Sequence, residues 1–198
     1  MIIKENLLHS VGATVKQYKS SEIIFREGDP ATYYYQIVTG EVKLNNYSDE
    51  GKEIIQTLLE DGQSIGESLL FMDKLYPINA IAITNCKVLR LPKSNFFDLL
   101  KQYPDICLDM NRLLSQRLYF KLIMAQNLST QNPTAKLRVL MDYLKSSQEE
   151  QAPYSFMIPL TRQQMASLTG LCVETAIRTI KTMERNKIVQ IKDRKILY

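Results

Sequence analysis

Six of the seven glycines fall within the first 66 residues, and four of them, Gly28, Gly40, Gly51 and Gly62, recur every 11 or 12 positions. A chain interrupted by turn residues at that interval has no room for a long helix. The segments around these glycines, EIIF, YYYQIV, EVKLNNY and EIIQTLL, are rich in the β-branched and aromatic residues that suit a pleated surface, and AIAITNCKVLRL follows with the same character. Short strands separated by regular turns predict a compact antiparallel roll or barrel over about residues 15–92. An ordinary β-sandwich has the same spacing, so spacing alone leaves both open.

After Pro104 the period changes. Ile106, Met110, Leu113, Arg117, Phe120 and Met124 step by four and three, the seam of a helix that packs lengthwise on a partner helix. Such a helix could lie on its own domain. Leu114, Leu118 and Leu122 add a second apolar stripe, enough for one face on the roll and one on a second copy of the chain, which favours a homodimer with Met110, Leu113, Arg117, Phe120 and Met124 as its seam. The polar stretch NLSTQNP, Asn127 to Pro133, ends in a helix N-cap followed by a first-turn proline and is expected to be a hinge. The expected domains are therefore 1–103, a sensor roll; 104–131, the dimerisation helix and hinge; and 132–198, a C-terminal domain.

In that last domain TAKLRVLMDYLKSS is an amphipathic helix and SQEEQAP a loop. Thr161 and Gln164 form a capping box that opens RQQMASLT, and Gly170 suits a tight turn between two helices. On the helix that follows, Ala176, Ile180 and Met183 share one side, leaving Val173, Glu174, Ile177, Arg178 and Lys181 on the other. NKIVQIKDRKILY reads as two short strands around Lys192, Asp193 and Arg194. Helix, turn, helix and basic-tipped hairpin make a winged helix-turn-helix, so the fold class is α+β: a β jelly roll, a long helix and a winged helix-turn-helix.

Charge follows the same division: residues 1–100 carry a net −3, residues 101–132 a net +2 and residues 133–198 a net +5, so the C-terminal part is the one suited to a polyanion. The mixed face of the second helix matches a DNA major groove. There arginine pairs with guanine, glutamate accepts from the cytosine amino group and branched apolar groups touch thymine methyls. Glu174 weakens any non-specific attraction to phosphate and is better explained as a base reader. Its alternative role, an ion pair with Arg178, is worth only about 0.3–0.5 kcal/mol. Arg162, Gln163, Lys181 and the 192–195 tip are expected phosphate contacts, and the full DNA-contacting set is Thr161, Arg162, Gln163, Val173, Glu174, Thr175, Ile177, Arg178, Lys181 and Arg194.

Other classes find no support in the residues. His9 is the only histidine, Cys86, Cys107 and Cys172 are isolated, and there is no GxxxxGK loop, so no enzyme, metal site or bound cofactor is expected. The cysteines read as inert core residues. Apolar runs fall short of the roughly 20 residues of a membrane helix, and no secretion signal opens the chain, which places it in the cytoplasm and off the membrane. A stand-alone small-molecule sensor without DNA binding is the other class to weigh, and residues 133–198 argue against it.

From near residue 15 onward the glycine-punctuated roll, GESLLF at 66–71, the long helix and TRQQMASLTGLCVETAIRTI resemble the CRP/FNR family of transcription regulators in order and spacing. The resemblance implies a cyclic-nucleotide-binding type of jelly roll and a homodimer on a palindromic operator in double-stranded DNA, with RNA polymerase a further partner. Glu174 and Arg178 match the family's base readers. Val173 stands where the cyclic-AMP receptor branch has arginine, as in the FNR branch, which implies half-sites closer to TTGAT than to TGTGA. Ile177 departs from that branch's serine, and Cys172 replaces the usual capping hydroxyl, a loss of about 1 kcal/mol.

The implied effector pocket comprises Gly66, Glu67, Ser68, Ile78, Asn79, Lys121 and Leu122. Ile78 and Asn79 occupy the family's phosphate-binding Arg-Ser pair. A buried phosphate without its arginine costs about 3–5 kcal/mol, so cyclic AMP is expected to bind poorly and the small-molecule effector stays unnamed. The N-terminal cysteine cluster of the iron-sulfur members and the axial histidine of the haem members are both missing.

Overall fold

The computed structural model describes residues 2–51, 53–128, 130–146 and 148–198, without the side chains of residues 127 and 128. It divides into two compact units, residues 1–115 and 116–198.

The first unit begins with helix α1 (Glu5–Ser10) and strands β1 (Thr14–Tyr18), β2 (Ile23–Phe25), β3 (Tyr33–Thr39), β4 (Val42–Tyr47), β5 (Glu53–Leu59) and β6 (Ser64–Ile65). A short 3-10 helix (Glu67–Phe71) leads to β7 (Asn79–Ala82), β8 (Cys86–Pro92) and helix α2 (Lys93–Gln102). The strands form two four-stranded sheets, β1-β8-β3-β6 and β2-β7-β4-β5, antiparallel throughout, and the four regularly spaced glycines all take positive φ at turns. Alternation along β3 explains the layering. Tyr35 lies 5.9 Å from Phe25 of the other sheet, between the layers. Tyr34 and Gln36 point the opposite way: Tyr34 stacks on Phe96 of α2 at 4.6 Å, and the Gln36 amide pairs with both the N–H and the carbonyl of Ile3. Helices α1 and α2, which are not among the elements expected from sequence, cover this outer face. Phe96, Leu99 and Leu100 carry the helical spacing that α2 buries.

Helix α3 (Pro104–Leu128) spans the expected long helix, but its apolar seam is turned inward. Met110 is 1% exposed within the roll's core, with Ile106 and Leu113 beside it. Further along, Phe120 and Met124 pack on the core of the second unit, where Phe120 meets Tyr143 at 4.6 Å between ring centroids. Arg117 is half-buried on the same face. The residues read as a dimer seam are thus occupied within the chain: a helical period reveals that a face is apolar without saying what covers it. Among the described residues of α3 the large apolar side chains left open are Leu108, Leu118, Tyr119 and Leu122, each more than half exposed. At 100° per residue they share an arc of about 100° opposite Met110, Leu113, Phe120 and Met124.

The second unit adds α4 (Pro133–Lys145), α5 (Arg162–Thr169), α6 (Val173–Arg185), β9 (Gln190–Lys192) and β10 (Lys195–Leu197). Of the expected hinge, Ser129 and the side chains of residues 127 and 128 lie outside the described residues, whereas Asn132 caps α4 by accepting from the Thr134 N–H at 3.0 Å, with Pro133 in the first turn. Leu137, Leu140, Met141, Ile158, Met165, Ile180, Met183, Val189 and Ile196 form its core. Among the described residues no helix is long and apolar enough to cross a membrane.

Candidate nucleic-acid interface

Local sequence fixes the paired helices. Thr161 Oγ1 accepts from the Gln164 N–H at 3.1 Å while Gln164 Oε1 accepts from the Thr161 N–H at 2.7 Å, closing the capping box. Helix α5 ends at Gly170, whose φ of 69° is left-handed and favours a residue without a Cβ. The chain then turns into α6 through Cys172. No side-chain cap forms there: Cys172 Sγ lies 2.9 Å from Thr175 Oγ1. This cysteine is exposed rather than an inert core residue, because the N-cap position projects from the turn, and its hydrogen bond with Thr175 lowers the thiol pKa.

Helix α6 separates its faces as its sequence demands. Ala176, Thr179, Ile180 and Met183 are buried, whereas Glu174, Arg178 and Lys181 are exposed and Val173, Thr175 and Ile177 half-buried. Glu174, Ile177, Arg178 and Lys181 line one shallow depression together with Thr182 and Arg185. The last two were missed by the sequence reading, although Arg185 continues the line of Glu174, Arg178 and Lys181 at intervals of four, three and four. No ion pair joins Glu174 to Arg178 among the described residues, so both charged groups are available at the surface.

Strands β9 and β10 pair from Lys195↔Lys192 to Leu197↔Gln190, forming the expected hairpin. Its two-residue turn is Asp193 and Arg194, at φ 48° and 63°, the left-handed pair that a tight hairpin turn requires. Thr161 and Gln163 are exposed at the start of α5. Arg162, expected at phosphate, is half-buried and donates from Nη1 to the Arg194 carbonyl at 3.2 Å.

In the roll, the residues expected around an effector are differently disposed. Gly66 has φ 66°, and a Cβ there would stand 2.8 Å from Tyr76 and 2.9 Å from Phe25, whose rings stack against each other at 3.7 Å. Glu67 is buried and Ser68 exposed. Ile78 packs on the roll's apolar core, and Asn79 accepts from the Glu27 N–H at 3.0 Å and donates to the Asn45 carbonyl at 3.3 Å. The Tyr76 hydroxyl, buried without a hydrogen-bond partner among the described residues, has its pKa raised chiefly by desolvation. Lys121 and Leu122 are exposed on α3 within the second unit.

Comparison with known proteins agrees with this arrangement. Residues 15–103 match the model of the cyclic nucleotide-binding domain, and residues 137–198 match that of the Crp-like helix-turn-helix domain. The cAMP-activated global transcriptional regulator CRP of Haemophilus influenzae is 26% identical over 183 residues, covering 91% of this chain and 82% of that protein. The global nitrogen regulator of Synechocystis is 28% identical over 188 residues, covering 92% and 83%. A solved CooA variant from Carboxydothermus hydrogenoformans shares the fold at a TM-score of 0.83 and 16% identity, covering 98% of this chain and 87% of that one. These curated relatives are transcription regulators, not enzymes. With one matched domain for the roll and another for the paired helices and hairpin, the chain belongs to the CRP/FNR family of DNA-binding transcription regulators.

Proposed function

We propose that two copies of this chain bind a palindromic operator, each inserting α6 into the major groove, with half-sites about 34 Å apart. The observation that carries this reading is the shared exposure of Glu174, Arg178 and Lys181 in one depression, with the first two free of each other. Glu174, Arg178, Val173 and Ile177 read base edges; Thr161, Gln163, Thr175, Lys181 and Arg194 flank them towards the phosphates. The exposed α3 stripe joins the two copies. RNA polymerase is the partner whose access the occupied operator governs, in the compartment that holds the DNA, the cytoplasm.

Selection of bound duplexes from a random pool tests this directly. An inverted repeat with TTGAT-like halves is the expected product, and an unenriched pool refutes sequence reading. On the selected site Arg178→Ala should cost about 1–3 kcal/mol and relax the preference at one base position. Equal weakening on every sequence would place Arg178 on phosphate instead.

The effector of this chain is a molecule other than cyclic AMP. Ile78 offers no charge to a phosphate and Asn79 is already engaged on both sides of its amide. Cyclic AMP at about 1 mM should therefore leave the melting temperature unchanged, whereas a site saturated a hundredfold would add about 2.7 kcal/mol of stability. A rise of several degrees overturns this assignment.

A further inference from the structure

The wing is a small element to carry a contact. Each strand has three residues, and a hairpin of that size has little stability alone. Its turn places two consecutive residues with side chains, Asp193 and Arg194, in the left-handed region, a conformation held only where the surroundings impose it.

Residues 156–158 tie β10 down through backbone hydrogen bonds at Ile196 and Tyr198, and three helices add side chains that bond to the wing's backbone. Glu184 of α6 accepts from the Ile191 N–H at 3.2 Å, holding β9. Lys145 of α4 donates to the Tyr198 carbonyl at 2.9 Å, holding the residue after β10. Arg162 of α5 donates to the Arg194 carbonyl at 3.2 Å, the one side-chain bond of the three that reaches the tip. Lys192, Asp193, Arg194 and Lys195 are all exposed there, and Arg162 is half-buried beneath them. The first turn of a helix is also an unfavourable place for a cation, since the helix dipole opposes it. The carbonyl of Arg194 offsets that penalty, which gives the guanidinium a reason to stay on the wing.

We infer that Arg162 is a positioning residue for the wing, holding the 193–194 turn so that Arg194 meets the DNA backbone. The inference rests on the DNA-reading function proposed above and assigns Arg162 to the protein's own turn rather than to an independent phosphate contact. Only one of the five guanidinium N–H groups is used by the carbonyl, so the test must separate the two roles.

A double-mutant cycle on the selected operator does so. With one Arg194 on each of the two bound copies, Arg194→Ala should lower the slope of log affinity against log salt by about two, and Arg162→Met by a similar amount through loss of the ordered tips. Adding Arg194→Ala to Arg162→Met should then change the slope no further. A double variant that loses about four units has two independent phosphate contacts per copy, and overturns the proposal. The DNA-free protein gives a separate readout: Arg162→Met should speed amide exchange at residues 191–196 about tenfold while leaving Met165 and Ile180 protected. Unchanged wing exchange, or faster exchange throughout the unit, would equally overturn it. Failure of DNA reading would appear instead as wild-type protein with no preferred operator, leaving the exchange result to stand on its own.

Discussion

Replacing Leu118 and Leu122 together by glutamate is expected to give a monomer whose affinity for the operator is about 10²- to 10⁴-fold below that of the wild type. The two leucines are 59% and 54% exposed on α3, flanked by Tyr119 at 61%, while the opposite face of the same helix is occupied by each unit's own core. Burying a leucine is worth about 1.5–3 kcal/mol, and a two-fold interface counts each residue twice. Four carboxylates facing one another would oppose that association. Once apart, each copy binds a half-site without the second copy's effective concentration, which is the source of the large factor. Sedimentation and operator titration measure both quantities. A variant that remains dimeric and binds as before would remove this stripe from the interface. Met110→Ala is the contrasting control: it empties a site in the roll's core, costing about 2–5 kcal/mol of stability, and leaves the oligomeric state unchanged.

That contrast shows where sequence stops informing. The capping box at Thr161 and Gln164, the cap at Asn132 and the turn at Gly170 were legible because each is a local device, complete within four residues. The faces of α6 were legible for a similar reason, since its apolar and charged positions alternate with the helical period. The period of α3 was equally plain, yet a period shows only that a face is apolar, and the packing of Met110, Leu113, Phe120 and Met124 on the chain's own cores leaves no trace in it. Contacts between distant residues left less trace still. Phe25 and Tyr76 stack across 51 positions of sequence, and nothing in either segment signals the other. Arg162, beside a capping residue, has the sequence character of a phosphate contact. Its bond to a backbone carbonyl 32 positions away has no side-chain partner that a pattern could reveal.

The largest stability effect in the C-terminal unit is expected at such a hidden contact. Lys145 is 8% exposed, its ammonium donates to the carbonyls of Ala152 at 2.6 Å and Tyr198 at 2.9 Å, and it stands 5.5 Å from the centre of the Tyr198 ring. Tyr198 in turn exchanges both backbone hydrogen bonds with Phe156 and bonds through its hydroxyl to Asp142. The lysine therefore ties the end of α4, the 148–152 loop and the end of the wing into one network. Charge-assisted bonds contribute about 1.5–3 kcal/mol each, partly offset by the cost of burying the ammonium. Lys145→Ala should destabilise the unit by about 3 kcal/mol, a fall of about 12–24 °C in its melting temperature at the usual 4–8 °C per kcal/mol for a unit of this size. Lys145→Met retains the apolar stem and should recover about a third of that loss. If both variants melt within about 5 °C of the wild type, the buried ammonium contributes no more than its own desolvation costs, and the wing is held by its apolar contacts and the remaining hydrogen bonds.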